Sequence, residues 1–148
     1  MNTVNLLAHF LSRTITVLCA FGLMLPTLAW GAFTVNGDGT VTDTETGLVW
    51  DRCLWGLYGA DCGSGSFSVY TWREALNAVK FANGVSAHGF DDWRLPNKNE
   101  LESFAQRGVG FPAIDSAAFP GLSTLERLYA WSSTTLALSP DSAWSLDF

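Results

Sequence analysis

Apolar residues recur at helical spacing in two segments of the chain, and each segment begins with a capping sequence. The first segment begins at Thr71, which stands three residues before Glu74, the spacing of a capping box. Its apolar stripe consists of Trp72, Ala75, Leu76 and Val79. This pattern predicts a helix that ends near Gly84.

The second predicted helix follows the stretch DWRLPN. Asn97 is a suitable N-cap and Glu100, three residues later, is its reciprocal partner. Leu101, Phe104 and Ala105 form the inner stripe, and Gly108 is the predicted end. Pro96 disfavours helical geometry at the residue before it, so the preceding residues are expected to be extended. In that extended piece Trp93 and Leu95 face the core, whereas Asp92 and Arg94 face the other way and anchor the junction.

Period-two patterns predict strands on both sides of these helices. Residues 33–43 have the composition of a hairpin around a Gly/Asn/Asp turn, and residues 47–50 form the next strand. Residues 128–134 and 143–148 are also predicted strands, and in the last one Trp144, Leu146 and Phe148 alternate with polar positions. Residues 109–125 resemble a loop. The sequence therefore predicts an α+β fold.

The N-terminal segment has the features of a secretory signal. Residues 14–29 are almost wholly apolar but too short for a membrane span, and AWG (Ala29 to Gly31) places small residues at a cleavage site. Residues 1–31 are therefore predicted to be a signal peptide and residues 32–148 the domain. This makes the domain an exported one, periplasmic, surface-bound or secreted. An uncleaved membrane anchor is the alternative.

The charge of the predicted domain excludes one class of partner. All 14 acidic residues lie in residues 32–148 with seven of the eight Lys and Arg, which leaves a net charge of −7. An acidic surface repels phosphate backbones, so we expect no nucleic acid partner. Six tryptophans remain in the domain and indicate an aromatic core or an aromatic binding face.

Two cysteines remain in the predicted domain, Cys53 and Cys62. A close pair in an exported protein favours a disulfide, here closing a Gly-rich loop. The alternative is a redox or metal pair. The spacing is not Cys-x-x-Cys, and residues 32–148 contain one histidine, so the disulfide is the preferred interpretation.

Taken in order, NGDGTVTDTETGLVW, TWREAL, DWRLPNKNEL, WSST and AWSLDF resemble the Lcl C-terminal domain family of bacterial extracytoplasmic proteins. The resemblance covers residues 33–148. It implies a C-type-lectin-like fold with two helices, small antiparallel sheets and long loops, and a binding role without a named ligand. Its structural signature would be Asp92, Trp93, Arg94, Leu95, Pro96, Asn97, Glu100, Trp131, Ser132 and Ser133.

Members of the family usually have one more strand after the one that ends here at Phe148. The resemblance therefore implies that the closing strand is missing and that the hairpin of residues 33–43 has an unpaired edge. Truncation is the favoured explanation, and a strand donated by a partner chain is the alternative.

Few residues could support catalysis or metal binding. His88 is the sole histidine of the domain, and Asp91 and Asp92 would point to opposite faces of an extended strand. Catalysis like that of formylglycine-generating enzymes would have to use Cys53 and Cys62. We therefore expect no enzyme and no cofactor.

The hairpin turn partly matches the pattern of a calcium-binding loop. Asn36, Asp38, Gly39 and Glu45 match places of the EF-hand pattern. Thr34 replaces its first Asp and the flanks resemble strands, so a hairpin is preferred and no metal is predicted, although the sequence does not decide whether the turn binds Ca²⁺.

Two hypotheses about function follow. The first is a secreted or surface recognition module, adhesin-like, that binds a glycan or a protein through its loops. The second is a structural accessory domain of an envelope or fimbrial assembly. The candidate ligand-binding residues are Trp55 and Tyr58, because aromatics held in a disulfide ring are ordered before binding. An equally favoured interpretation is that both pack beneath the ring.

Overall fold

The computed structural model describes residues 3–4, 8–10, 33–105, 113–122 and 129–148. In these residues the chain forms helices α1 (Trp72–Gly84) and α2 (Lys98–Phe104), a 3-10 turn (Ala87–Gly89) and several short strands. The strands are β1 (Thr3–Val4), β2 (Ala8–Phe10), β3 (Phe33–Val35), β4 (Thr40–Asp43), β5 (Leu48–Asp51), β6 (Leu57–Tyr58), β7 (Ser64–Gly65), β8 (Tyr129–Leu136) and β9 (Ser139–Asp147). The predicted α+β class is confirmed.

The strands form three small sheets. One has the order β2-β5-β4-β3 and is antiparallel throughout, the second has the order β1-β8-β9, and the third is the hairpin β6-β7. Only the β1-β8 pair is parallel among the described pairs. The predicted hairpin of residues 33–43 is present as β3 and β4, with Phe33 opposite Asp43.

Two strands from the predicted signal peptide, β1 and β2, pair with the two larger sheets. β2 lies antiparallel beside β5, and β1 lies parallel beside β8. The outer edge of β3, the edge predicted to be unpaired, has no strand partner among the described residues. In the described part of the chain no helix is long and apolar enough to cross a membrane; residues 14–29, the core of the predicted signal peptide, lie outside it.

Both predicted capping boxes are present. The Thr71 backbone N–H donates to Glu74 Oε2 at 2.7 Å, and the Asn97 backbone N–H donates to Glu100 Oε2 at 2.7 Å. Helix α1 ends at Gly84 as predicted, whereas α2 ends at Phe104 and not near Gly108. The residue after Phe104, Ala105, has extended backbone angles that end the helix early.

The core has two parts. In the first, the ring of Phe104 on α2 lies 4.9 Å from Trp50, 4.6 Å from Phe119 and 5.4 Å from Phe148, measured between centroids. The second lies between α1 and the stretch before α2 and is centred on Ala75, Ala82, Trp93 and Leu95. The two helices therefore join the sheets through separate apolar contacts.

The alternating apolar residues of the last predicted strand do not share one environment, since Phe148 is buried, Leu146 is partly buried and Trp144 is exposed. Ala143 and Phe148 are both buried, although they are five positions apart in the sequence. Trp144 is 46% exposed. Strict alternation cannot put both buried residues on one face. The β8-β9 register shifts between the pairs Trp131–Ser145 and Thr135–Ala143, which flank Trp144.

Candidate functional site

The loop that carries the candidate ligand-binding residues is closed by a disulfide. Cys53 and Cys62 are bonded, with their Cα atoms 5.4 Å apart, as the sequence predicted. Both cysteines are buried. Arg52, next to the ring, donates from Nε to the Ala118 carbonyl at 3.0 Å and from Nη1 to the Ala60 carbonyl at 2.5 Å. The ring is thus fixed both covalently and by a guanidinium that joins it to the loop of residues 113–122.

The two aromatic residues of the ring have different surroundings. Trp55 is partly buried against the α1 cluster, and its ring centroid lies 6.3 Å from that of Phe81 in an edge-to-face arrangement. Tyr58 is 66% exposed. It lies on β6 over Gly65 of β7, where a Cβ would come within 2.9 Å of the Tyr58 ring. Trp55 therefore attaches the ring to the helix, and Tyr58 is presented to solvent.

A cleft of about 400 Å³ lies beside the ring. Its walls include Leu57, Asp61, Cys62, Ser66, Phe67 and Pro120. Phe67 is 40% exposed and Asp61 is also exposed, so the cleft combines an apolar wall with carboxylate and hydroxyl groups. Gly121 approaches the disulfide so closely that a Cβ there would lie 2.8 Å from Cys62 Cβ, which leaves room only for glycine. Phe67 and Pro120 were not predicted as site residues, because nothing local in the sequence indicates that residues 66–67 and 120–121 meet.

The signature stretch DWRLPN is built into the fold. Trp93 is 2% exposed, and its Nε1 donates to the Ala87 carbonyl at 2.8 Å. Its backbone N–H donates to Asn83 Oδ1 at 2.7 Å, and its carbonyl accepts from Asn83 Nδ2 at 2.9 Å. Leu95 is equally buried. The side-chain amide of Asn83, near the end of α1, therefore pairs with both main-chain polar groups of Trp93, as a neighbouring strand would.

Arg94 is anchored by a residue to which the sequence assigned only a capping role. Its Nη1 and Nη2 each donate to one carboxylate oxygen of Glu100 at 2.7 Å. This pair raises the pKa of Arg94, and it lowers the pKa of Glu100 together with the hydrogen bond from Asn97. Glu100 thus caps α2 and fixes the stretch before it. Asp92 is exposed, and it too has an interaction partner.

The second signature, WSST, lies in β8 and forms hydrogen bonds to this junction. Ser133 donates its backbone N–H to the Pro96 carbonyl at 2.8 Å, and Thr134 Oγ1 accepts the Lys98 backbone N–H at 3.0 Å. The buried Ser132 accepts at its carbonyl from Trp72 Nε1 at 3.0 Å, and Trp131 Nε1 donates to the Tyr70 carbonyl at 2.8 Å. The two signatures therefore form one junction, which main-chain and side-chain hydrogen bonds hold together. A small cavity of about 130 Å³ lies beside it, lined in part by Lys98, Ser132 and Trp144.

His88 joins the 3-10 turn to the first hairpin. Its Nδ1 lies 2.9 Å from the Asp38 carbonyl, and its Nε2 lies 3.5 Å from Oδ1 of the buried Asp51. The Asp51 carboxylate, followed by the Asp38 carbonyl, raises the pKa of His88 against the opposing effect of burial. Gly39 leaves room for the imidazole, since a Cβ at that position would lie 2.5 Å from His88 Cε1. Both ring nitrogens therefore face oxygen atoms.

The hairpin-turn residues that partly match a calcium-binding loop form hydrogen bonds within the turn. Asp38 Oδ1 accepts from the backbone N–H and the hydroxyl of Thr40, which lowers the pKa of Asp38, and Asn36 Nδ2 donates to Thr40 and Thr42. Within the described residues, no group of three His, Cys, Asp or Glu is arranged to hold a metal ion. The side chains of this turn hold the hairpin.

A profile of the Lcl C-terminal domain matches residues 39–148, most of the chain and all of the elements just described from β4 to β9. The chain belongs to the Lcl C-terminal domain family. No curated protein and no solved structure matches it. The family membership predicted from DWRLPN and WSST is confirmed, whereas the likeness to C-type lectins stays a prediction.

Proposed function

We propose that this Lcl C-terminal domain is a non-catalytic recognition module of an exported protein, and that it binds a glycan or a protein surface through its disulfide face. We define the disulfide face as Tyr58, Phe67 and the adjoining cleft with Asp61 and Ser66. The observation that supports this proposal is a pair of exposed aromatic rings at the disulfide. Tyr58 lies within the disulfide ring, and Phe67 follows Ser66, whose backbone N–H donates to the Gly56 carbonyl of that ring at 3.2 Å.

The physical argument is one of preorganisation. An exposed aromatic side chain that is already ordered loses little conformational freedom on binding and buries a large area. Nearby carboxylate and hydroxyl groups can bond to sugar hydroxyls or to peptide groups. The position of Trp55 against α1 supports a different role for that residue, which is to hold the ring against the helix.

The surroundings of the reactive residue types favour binding over catalysis. Cys53 and Cys62 are bonded to each other, so neither offers a thiolate. The two ring nitrogens of His88 lie against the Asp38 carbonyl and the Asp51 carboxylate.

Glycan and protein arrays probed with the labelled full chain test the proposal. The double variant Tyr58→Ala, Phe67→Ala should lose the signals that the wild type gives. The matched control is Val69→Ala, Val85→Ala, which removes two apolar side chains of similar exposure elsewhere. Equal loss in both variants, or no loss in the first, would contradict a role for the disulfide face.

The second candidate is a structural accessory role in an envelope assembly. The paired sheet edges at β5 and β8 favour it, because a sheet that accepts additional strands can be joined to another chain.

A further inference from the structure

Two core strands each receive a short strand from the N-terminal segment. Ala8 of β2 lies opposite Trp50 of β5, and Phe10 lies opposite Leu48. Val4 of β1 lies opposite Ala130 of β8. Val4 and Ala8 are four residues apart, so they are separated by at most roughly 14 Å. We call the two receiving edges, Leu48–Trp50 and Tyr129–Ala130, the edge seam.

The edge seam belongs to the core. Leu48, Val49, Trp50 and Ala130 are each at most 2% exposed. Backbone N–H and C=O groups in such strands need hydrogen-bond partners, because an unpaired group that water cannot reach is destabilising. An added strand supplies those partners along the whole edge.

The sequence of the N-terminal segment suits this position. From Thr3 to Phe10 the chain reads TVNLLAHF, with apolar residues at every even position and polar residues at the odd ones except Leu7. Alternation of this kind is typical of a strand with one buried face. An apolar signal core needs no such alternation, and the pattern lies before residue 14, where that core begins.

We propose that the edge seam is a strand-acceptor site, which β1 and β2 fill within the chain. When those residues are removed, as cleavage near Gly31 would remove them, the site takes an extended segment of a partner protein with the same alternation of apolar and polar residues. The main-chain hydrogen bonds provide the affinity, and the side chains at alternate positions provide the selectivity. This inference is independent of ligand binding at the disulfide face.

The test uses a full-chain variant in which β2 cannot pair with β5. The variant Ala8→Pro, His9→Pro removes backbone donors at two adjacent positions and cannot continue the ladder with β5. The control variant is Thr14→Pro, Ile15→Pro, outside the ranges of β1 and β2. The probe is a labelled synthetic peptide of residues 2–11, compared with a peptide of the same composition whose apolar residues are grouped together.

Amide exchange over residues 48–51 should be roughly tenfold faster in the Ala8→Pro, His9→Pro variant, which corresponds to about 1.4 kcal/mol of lost local protection. The alternating peptide should bind this variant and restore the slow exchange. It should not bind the wild type or the control, whose sites are filled. The peptide with grouped residues should bind none of them.

Unchanged exchange over residues 48–51, or failure of the alternating peptide to bind, would overturn the proposal. A concentration-dependent dimer of the variant that the peptide does not dissociate would also overturn it, because the seam would then pair with a second copy. If the variant does not fold, refolding with each peptide decides the question: recovery with the alternating peptide alone supports the proposal, and recovery with neither or both rejects it.

Discussion

Replacing His88 by asparagine tests whether one imidazole holds the 3-10 turn against the first hairpin. His88 has a positive φ of 54°, a region that asparagine tolerates better than most residues, so the change removes the ring with little added backbone strain. The buried Asp51 carboxylate then keeps the Cys53 backbone N–H at 3.2 Å but loses its cationic neighbour.

The magnitude follows from the geometry. A hydrogen bond to a charged group contributes about 1.5–3 kcal/mol. The Nε2–Oδ1 distance of 3.5 Å is long, and the His88 side chain is 30% exposed, so solvent weakens the pair. We therefore expect the free energy of unfolding to fall by about 1 kcal/mol in His88→Asn at low pH.

The pH dependence gives the sharper result. Asp51 raises the folded-state pKa of His88 above its ordinary value of 6.5. The stabilisation is therefore fully present below about pH 6.5 and is lost as the pH rises through the raised pKa. The groups that face the ring are Asp51 at the end of β5, Asp38 in the hairpin turn, and Trp93, whose ring centroid lies 6.1 Å away.

Urea unfolding of the wild type and His88→Asn between about pH 5.5 and 8.5 measures this difference. The two stability curves should be separated at low pH and converge at high pH. Lys80→Asn is the matched control, since it also replaces a cationic group by asparagine and Lys80 is exposed on α1. Parallel curves for the wild type and His88→Asn across this range would refute the reasoning.

Three further predictions concern the scaffold. The double change Cys53→Ser, Cys62→Ser should lower the free energy of unfolding by about 2–3 kcal/mol, because the unfolded chain regains the freedom of a short loop; equal urea midpoints for this variant and the oxidised wild type would contradict it. Trp93→Ala should lower it by about 3–5 kcal/mol, whereas Trp144→Ala on the surface should change it by less than about 1 kcal/mol; similar losses in thermal unfolding would show that Trp93 is not a core residue. Glu100→Gln should lower it by about 1–2 kcal/mol near neutral pH through loss of the Arg94 pair. Since the folded pKa of Glu100 is lowered, that contribution is present above its unfolded pKa of about 4.3 and disappears as the pH falls through the lowered value, so a pH-independent difference would argue against the Arg94 pair.

Features fixed by neighbouring residues were predictable from the sequence. Both capping boxes depend on residues three apart, and the disulfide closes a short loop. The burial of Trp93 and Leu95 follows from their alternation before Pro96. These predictions needed no knowledge of the tertiary structure.

Features that depend on distant segments meeting were not predictable. Ser133 reaches the Pro96 carbonyl across 37 positions of sequence, and His88 reaches Asp38 across 50. The cleft beside the disulfide needs residues 120–121 to lie against Cys62. The pairing of β1 with β8 and of β2 with β5 also joins segments that are far apart in the sequence, and β1 and β2 lie within the predicted signal peptide.

The central claim is that the family signature maintains the fold while the disulfide face meets the ligand. Hydrogen exchange of the full chain, with and without the ligand that gives the strongest array signal, tests it most directly. We predict added protection in residues 57–67 and 120–121, with exchange in residues 93–97 and 131–134 unchanged. Added protection confined to residues 93–97 and 131–134 would contradict the claim, because the signature would then be the binding site.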